Sequence, residues 1–470
     1  MRRFLVPALL TLAATLPASD ALAQLEKELA AMAAKDPAAP LARAVSVEAD
    51  RAAGATPGKI DSLELTTQDD GDPMTRAAKL LAAQGLQQGF QDRNGQVVLI
   101  TQGIAQVHGR PGEATWANAR TIAYQTAELQ ARAAMVAALS EQVLSGRSLT
   151  VLENSGAITD PTAQPPAQSR EQIQAKAQSL DEAALDAELR KLGVPPEQYQ
   201  DLPPEKKRLL FSESYESYVR TRAATTMNGV ATLSVHEGPW EGNQTIVVNL
   251  VWSESLARMT AMFGKYGKLL PKKPETGKRL AEQIPAEVPR LLRCFGVQRC
   301  TDETGETTFV VFSQAGLAPV PAQMRATALA NAYDKAAMEG KAMLKAFIHE
   351  RTSSEASRNL AQLAAVTVGE KSGRQEATVQ QLDSYQRSIR SGGETVDLAG
   401  VSEFKRWHGK VDGVDVAGVV LSWSPRSQAQ ARTVEKVNQQ AGQGGGAERP
   451  SGQTGGQGGS GDSTTFDPTK

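Results

Sequence analysis

Ile246, Val248, Leu250 and Trp252 fall on one face of an extended segment, and Asn249 and Ser253 fall on the other. That period of two marks a strand. The same pattern returns 171 positions later as Val419, Leu421 and Trp423. The segment before it repeats too, with Gly229-Val230, Gly238 and Gly242 matched by Gly400-Val401, Gly409 and Gly413. Gly242-Asn243 and Asp412-Gly413 supply the backbone freedom of hairpin turns, so each copy predicts two antiparallel strands.

A different period precedes each hairpin. Ala119, Ala123, Ala127, Ala133 and Ala137 recur 209 positions later as Ala328, Ala332, Ala336, Ala342 and Ala346. At roughly 100° per residue the five fall on one helical face about 120° wide. Small side chains there let a helix lie close to a sheet. Upstream, the apolar runs Val97 to Ile100 and Val310 to Phe312 predict strands, with Gly103 matched to Gly316, and Leu80-Leu81 and Gly85 matched to Leu291-Leu292 and Gly296. The fold class is therefore α+β, with two tandem modules that each read strand, long helix, antiparallel strand pair. Module one spans 75–263 and module two 287–433.

The spacing between copies drops from helix to hairpin, so module one carries an insertion of about 38 residues, a Pro- and Gln-rich stretch near 155–208. Ser179 followed by Glu182 predicts a capping box, and Gly193 with Pro195-Pro196 a stop, which places a short helix at about 180–192.

The flanks change the picture of where the chain works. Met1-Arg2-Arg3, the apolar stretch Phe4 to Leu16 and Ala21-Leu22-Ala23 have the form of a secretory signal over 1–23, cleaved after Ala23. Residues 24–74 and the Gly, Gln and Ser-rich tail over 434–470 hold too little apolar surface to fold and are expected to be mostly disordered. With 51 basic and 52 acidic residues the net charge is −1, which excludes a global field for nucleic acid. The 264–286 linker is locally basic, because Lys265, Lys268, Lys272, Lys273, Lys278 and Arg279 face only Glu275. It reads as a solvated connection, or as a contact for anionic envelope material. In an exported chain the pair Cys294 and Cys300 is expected to form a disulfide. Zinc would require further ligands nearby, and a redox dithiol a tighter spacing.

Chemistry is sparse. His108, His236, His349 and His408 are scattered, and no nucleophile elbow, phosphate-binding Gly-rich loop or helical zinc motif occurs. His236 and His408 fall near hairpin turns, where exposed polar residues are ordinary. The carboxylates Glu303 and Glu306, or Asp181 and Glu182, sit in polar contexts. No catalytic residue, metal or cofactor is assigned. Trp252 and Trp423 read as core anchors, whereas Trp240 and Trp407, near the bends, are the aromatic residues expected at a binding surface together with Lys265, Lys268, Lys272 and Lys273.

The order of a strand ending in Gly, the alanine-rich helix with Ala119, Ala123, Ala127 and Ala133, then strands bearing Gly229-Val230 and Trp252, resembles modules of the lipoprotein-20-like family and of the N-terminal part of flagellar assembly protein T. It is also similar to secreted bacterial proteins grouped as a domain of unknown function. The resemblance implies a small α+β envelope module, often part of a ring, coat or assembly at the outer membrane. This chain lacks an acylated cysteine and duplicates the module. The reading is a non-catalytic periplasmic scaffold or assembly protein, whose partners are other envelope proteins or itself. A secreted binding module for a small ligand, glycan or peptidoglycan, or for an anionic membrane surface, is the alternative, and an enzyme with a site of scattered residues the third.

Overall fold

A computed structural model of the chain describes residues 64–65, 67, 71–93, 96–146, 168–225, 227–253, 278–317, 319–349 and 398–433, with Leu256, Ala257, Thr260, Leu360, Ala361 and Leu363. The signal sequence, most of the 24–74 segment, the tail and Lys265, Lys268, Lys272 and Lys273 lie outside the described residues.

After a two-residue strand β1 (Glu64–Leu65), module one runs α1 (Pro73–Ala83), β2 (Gly89–Arg93), β3 (Gln96–Gln106) and α2 (Trp116–Leu144). The inserted helices α3 (Arg170–Ser179), α4 (Glu182–Lys191) and α5 (Pro204–Thr225) follow, then the hairpin β4 (Ala231–Trp240) and β5 (Asn243–Ser253). Module two runs α6 (Leu280–Gln283), α7 (Val288–Leu291), β6 (Gly296–Thr301), β7 (Thr307–Gly316), α8 (Arg325–His349), β8 (Ser402–Val411) and β9 (Val414–Trp423). The order across module one is β2-β3-β5-β4 and across module two β6-β7-β9-β8, with β1 added in parallel to β8.

The two sheets thus share one topology, and the likeness reaches single residues. Each first hairpin strand carries a bulge, between Thr232 and Ser234 and between Glu403 and Lys405. Each turn puts a non-glycine residue and then a glycine at positive φ, Glu241 (48°) with Gly242 (79°) and Asp412 (48°) with Gly413 (84°). This is the primed turn whose twist suits a tight hairpin. In module one it begins one residue earlier than Gly242-Asn243. The strand, long helix and antiparallel strand pair read in each copy are present, and a short strand of mixed polarity, β2 or β6, adds a fourth to each module. One expectation needs correction. The partner of Gly103 is Ser313 rather than Gly316, since Gly103 pairs with Val248 and Ser313 with the matching Val419.

That register explains the close helix packing. A Cβ on Gly103 would lie 1.8 Å from the carbonyl oxygen of Ala127. In module two the small residue has moved to the helix: Gly340 faces Ser313 and Leu421. The alanine faces pack as their period requires, with Ala123, Ala127 and Ala133 buried in α2 and Ala332, Ala336 and Ala346 in α8.

The sheets adjoin along β4 and β6, and the core divides by side rather than by module. One cluster joins α2, Leu99, Ile246, Val248, Leu250 and Trp252 to Val310, Phe312, Val416 and Val420 of module two. The other joins Leu81, Val98, Ile100 and Val251 to Phe309, Val311, Leu421, Trp423 and Phe347 of α8. Helix α2 therefore covers one side of both sheets, which is why so much of its circumference is buried.

The insertion is more helical than its composition suggests. Asp181, not Ser179, caps α4, its Oδ1 accepting Ala184 N at 2.8 Å, because Ser179 already ends α3. Helix α5 buries Phe211, Tyr215 and Val219 at helical spacing and packs against α2, α3 and α4. The buried Lys207 holds α5 to α4 through Glu182 and Asp186, at 2.8 and 2.9 Å.

Candidate functional site

The first half of α2 is where the modules interlock. Arg120, 1% exposed, donates from Nε to Glu237 Oε1 of β4 at 2.7 Å and from Nη2 to the Leu292 carbonyl of module two at 3.2 Å. Its guanidinium lies 5.8 Å from the Phe295 ring, which stacks on Tyr124 at 4.6 Å. Burial pushes the Tyr124 phenol well above its ordinary range. At the start of the helix, Trp116 Nε1 donates to Asp412 Oδ2 at 2.8 Å, and Thr67 closes the same carboxylate through its N–H at 2.8 Å and its hydroxyl at 2.6 Å. Gly316 N donates to Asn118 Oδ1 at 3.2 Å, and a Cβ on Gly316 would meet that of Ala117 at 2.7 Å.

On the opposite flank of α2 a groove of about 540 Å³ opens beside β3. Strand β2 stops at the pair Gly89 and Ile100, so residues 101–106 of β3 have no described strand on that edge. The Gln130 carboxamide caps the Ile104 N–H at 3.3 Å. Ile104, Ala119, Ile122, Thr126 and Trp240 line the groove, and no acidic, Lys or Arg side chain does. Ile122 is 48% exposed there.

The expected binding residues divide. Trp240 is half-buried and lines this groove. Trp407 is only 4% exposed: its indole occupies the space that a side chain on Gly418 would take, so it is a core residue and not a binding surface. It pairs with Gly418 in the middle of β8 rather than at the bend, and nothing in the sequence hinted at its burial, because the exposure of a strand position depends on what packs over it. Trp252 and Trp423 are buried, as their matched positions predict.

Cys294 and Cys300 are free thiols, against the disulfide expectation. Cys300 lies within strand β6, whose extended backbone at about 3.3 Å per residue carries it away from the turn before Gly296 that holds Cys294. Cys294 Sγ instead donates to the Arg290 carbonyl at 3.3 Å, and burial pushes the Cys300 thiol up to about 12. Thiol titration in denaturant is expected to count two free cysteines with or without prior reduction. In the native chain Cys300 should label slowly at neutral pH, where almost no thiolate exists.

His236 and Glu306 also depart from the polar contexts expected of them, since both are buried. Glu306 accepts from Arg426 N at 3.1 Å, and burial pushes its carboxyl up. His236 has no partner at Nε2, and burial, reinforced by Arg76 and Arg293, lowers it to about 3. The folded state then stays neutral while the unfolded imidazole takes a proton. Stability is therefore full above about pH 6.5 and falls as the pH drops toward 3. At about 1.4 kcal/mol per unit, about 2 kcal/mol is lost by pH 5. Urea titrations across that range should show this loss, and His236→Gln should flatten it.

Among the described residues no group of three or more His, Cys, Asp or Glu converges on a point that would hold a metal, and no helix is long and apolar enough to cross a membrane.

A family model described as a domain of unknown function (DUF6844) matches residues 170–263, the inserted helices and the first hairpin. No curated protein matches the chain. A solved structure, hypothetical protein FTT1539c from Francisella tularensis, is similar at 17% identity and a TM-score of 0.47, over 76% of this chain and 93% of that one.

Proposed function

We propose that this chain is a non-catalytic scaffold or assembly protein of the cell envelope, exported to the periplasm and acting through protein contacts of its two modules. The observation that carries the reading is the groove beside β3. An apolar trough without acidic, Lys or Arg side chains, next to a stretch of β3 that pairs with no described strand on that side, suits polypeptide docking, in which backbone groups and alternate side chains supply the contacts. The titratable groups of the interior support the same view. Arg120, Glu237 and Asp412 are spent on holding the modules together, and none of them lines the groove. The resemblance to lipoprotein-20-like and flagellar assembly protein T modules fits such a role at the outer membrane. Crosslinking in living cells followed by purification of the tagged chain is expected to recover a reproducible envelope protein other than itself. Recovery of none would overturn the reading.

Trp240 in the groove favours one second reading, a glycan or peptidoglycan binder with the indole as stacking platform. That reading expects the chain to sediment with purified wall and Trp240→Ala to abolish it. No sedimentation at low salt would end it.

A further inference from the structure

The groove beside β3 is narrow for its length. Its wall on α2 runs from Thr115 through Ala119, Ile122 and Thr126 to Gln130, a stripe that follows one flank of the helix. At about 1.5 Å per residue that stretch is about 22 Å long, so a volume of about 540 Å³ spreads over a mean cross-section of about 25 Å². A strand within a sheet takes about 4.8 by 10 Å, about twice as much. A polypeptide can lie along the mouth, on the part of β3 that continues past β2, while only a thinner chain enters the trough.

The walls offer carbon. Ile104, Ala105, Ile122, Ala123 and Trp240 supply most of them. The polar groups between these residues are already engaged. Thr126 Oγ1 donates to the Ile122 carbonyl at 2.9 Å, Gln130 Oε1 accepts the Ile104 N–H at 3.3 Å, and Asn118 Oδ1 accepts the Gly316 N–H at 3.2 Å. An occupant that needs hydrogen bonds along its length therefore gains little here, and a hydrocarbon loses nothing. The two ends differ. The bond from Gln130 to β3 ties the helix to the strand at one, whereas His108, which lines the other, is exposed and leaves a polar head in water.

We propose that the groove binds one unbranched hydrocarbon chain, the acyl tail of a fatty acid or of a lipid-modified polypeptide, with its head at His108 and its methyl end toward Gln130. An extended chain advances about 1.25 Å per carbon, so a groove of about 22 Å takes roughly 18 carbons. Burial of its methylenes against Ile122, Ala123 and Trp240 supplies the affinity. Carried by a polypeptide docked along β3, such a tail gives the scaffold reading a lipidated partner, and to that extent the proposal rests on that reading.

Isothermal titration calorimetry of the full chain tests it with straight-chain carboxylates from octanoate to arachidate, each below its critical micelle concentration. Affinity should rise about two- to fourfold per added methylene, the gain from burying one partly or wholly, and level off near stearate. Phytanate, which has the backbone of palmitate with added methyl branches, should bind about tenfold more weakly than palmitate because the branches overfill the trough. Thr126→Phe, which fills the far end, should move the plateau down to about myristate, and Ile122→Glu should abolish binding, both with wild-type circular dichroism. Binding of palmitate alone identifies a free acid as the ligand, and tighter binding of an N-palmitoyl glycyl-serine peptide identifies a lipidated polypeptide. Failure of both probes to bind would overturn the proposal, as would a plateau that Thr126→Phe leaves in place. A crosslinked envelope protein recovered from a chain that binds neither probe removes the acyl site and leaves the scaffold reading standing.

Discussion

Glu237→Ala is expected to destabilise the fold by about 3–5 kcal/mol, the cost of leaving a buried charge without its counter-ion. Arg120 sits in the interior with one strong acceptor, and the Leu292 carbonyl and the Phe295 ring cannot neutralise it. A guanidinium is a lasting charge in proteins, so without its counter-ion the structure must open to water or lose packing. Urea denaturation followed by circular dichroism reads the loss directly. Exchanging both partners for apolar residues, Arg120→Met with Glu237→Leu, should recover most of it, because no uncompensated charge then remains. A loss below about 1 kcal/mol for the single variant would mean that solvent already reaches the pair.

Trp252→Ala and Trp423→Ala should each cost about 3–5 kcal/mol, the range for emptying a buried aromatic site. The more telling outcome is cooperativity. Trp252 belongs to the cluster that also holds Val310 and Val420 of module two, and Trp423 to the one that also holds Val98 and Ile100 of module one. Each substitution should therefore shift a single unfolding transition. Calorimetry that resolved two transitions, with only one moved by each variant, would show that the modules are independent after all.

The matched residues of the two copies announced the long helices and hairpins, because a face that must be buried shows its period in any window of chain. Trp252, Trp423 and the alanine faces were legible for that reason. Strands β2 and β6 were not, since they carry mixed side chains and owe their form to the strands they pair with. Helix α5 was hidden by the polar residues of a helix with a single aromatic stripe. The groove escaped too. Its one sequence signal was Trp240, and that signal was equally strong at Trp407, which the fold buries.

Duplication, the α+β class and the sides on which the matched residues lie were already decided along the chain, because periodicity and repetition are properties of neighbours in sequence. The sharing of both clusters by the two modules, the burial of His236 and Trp407 and the groove beside β3 arose only when distant segments met. They depend on which surface covers which, and no local pattern encodes that contact.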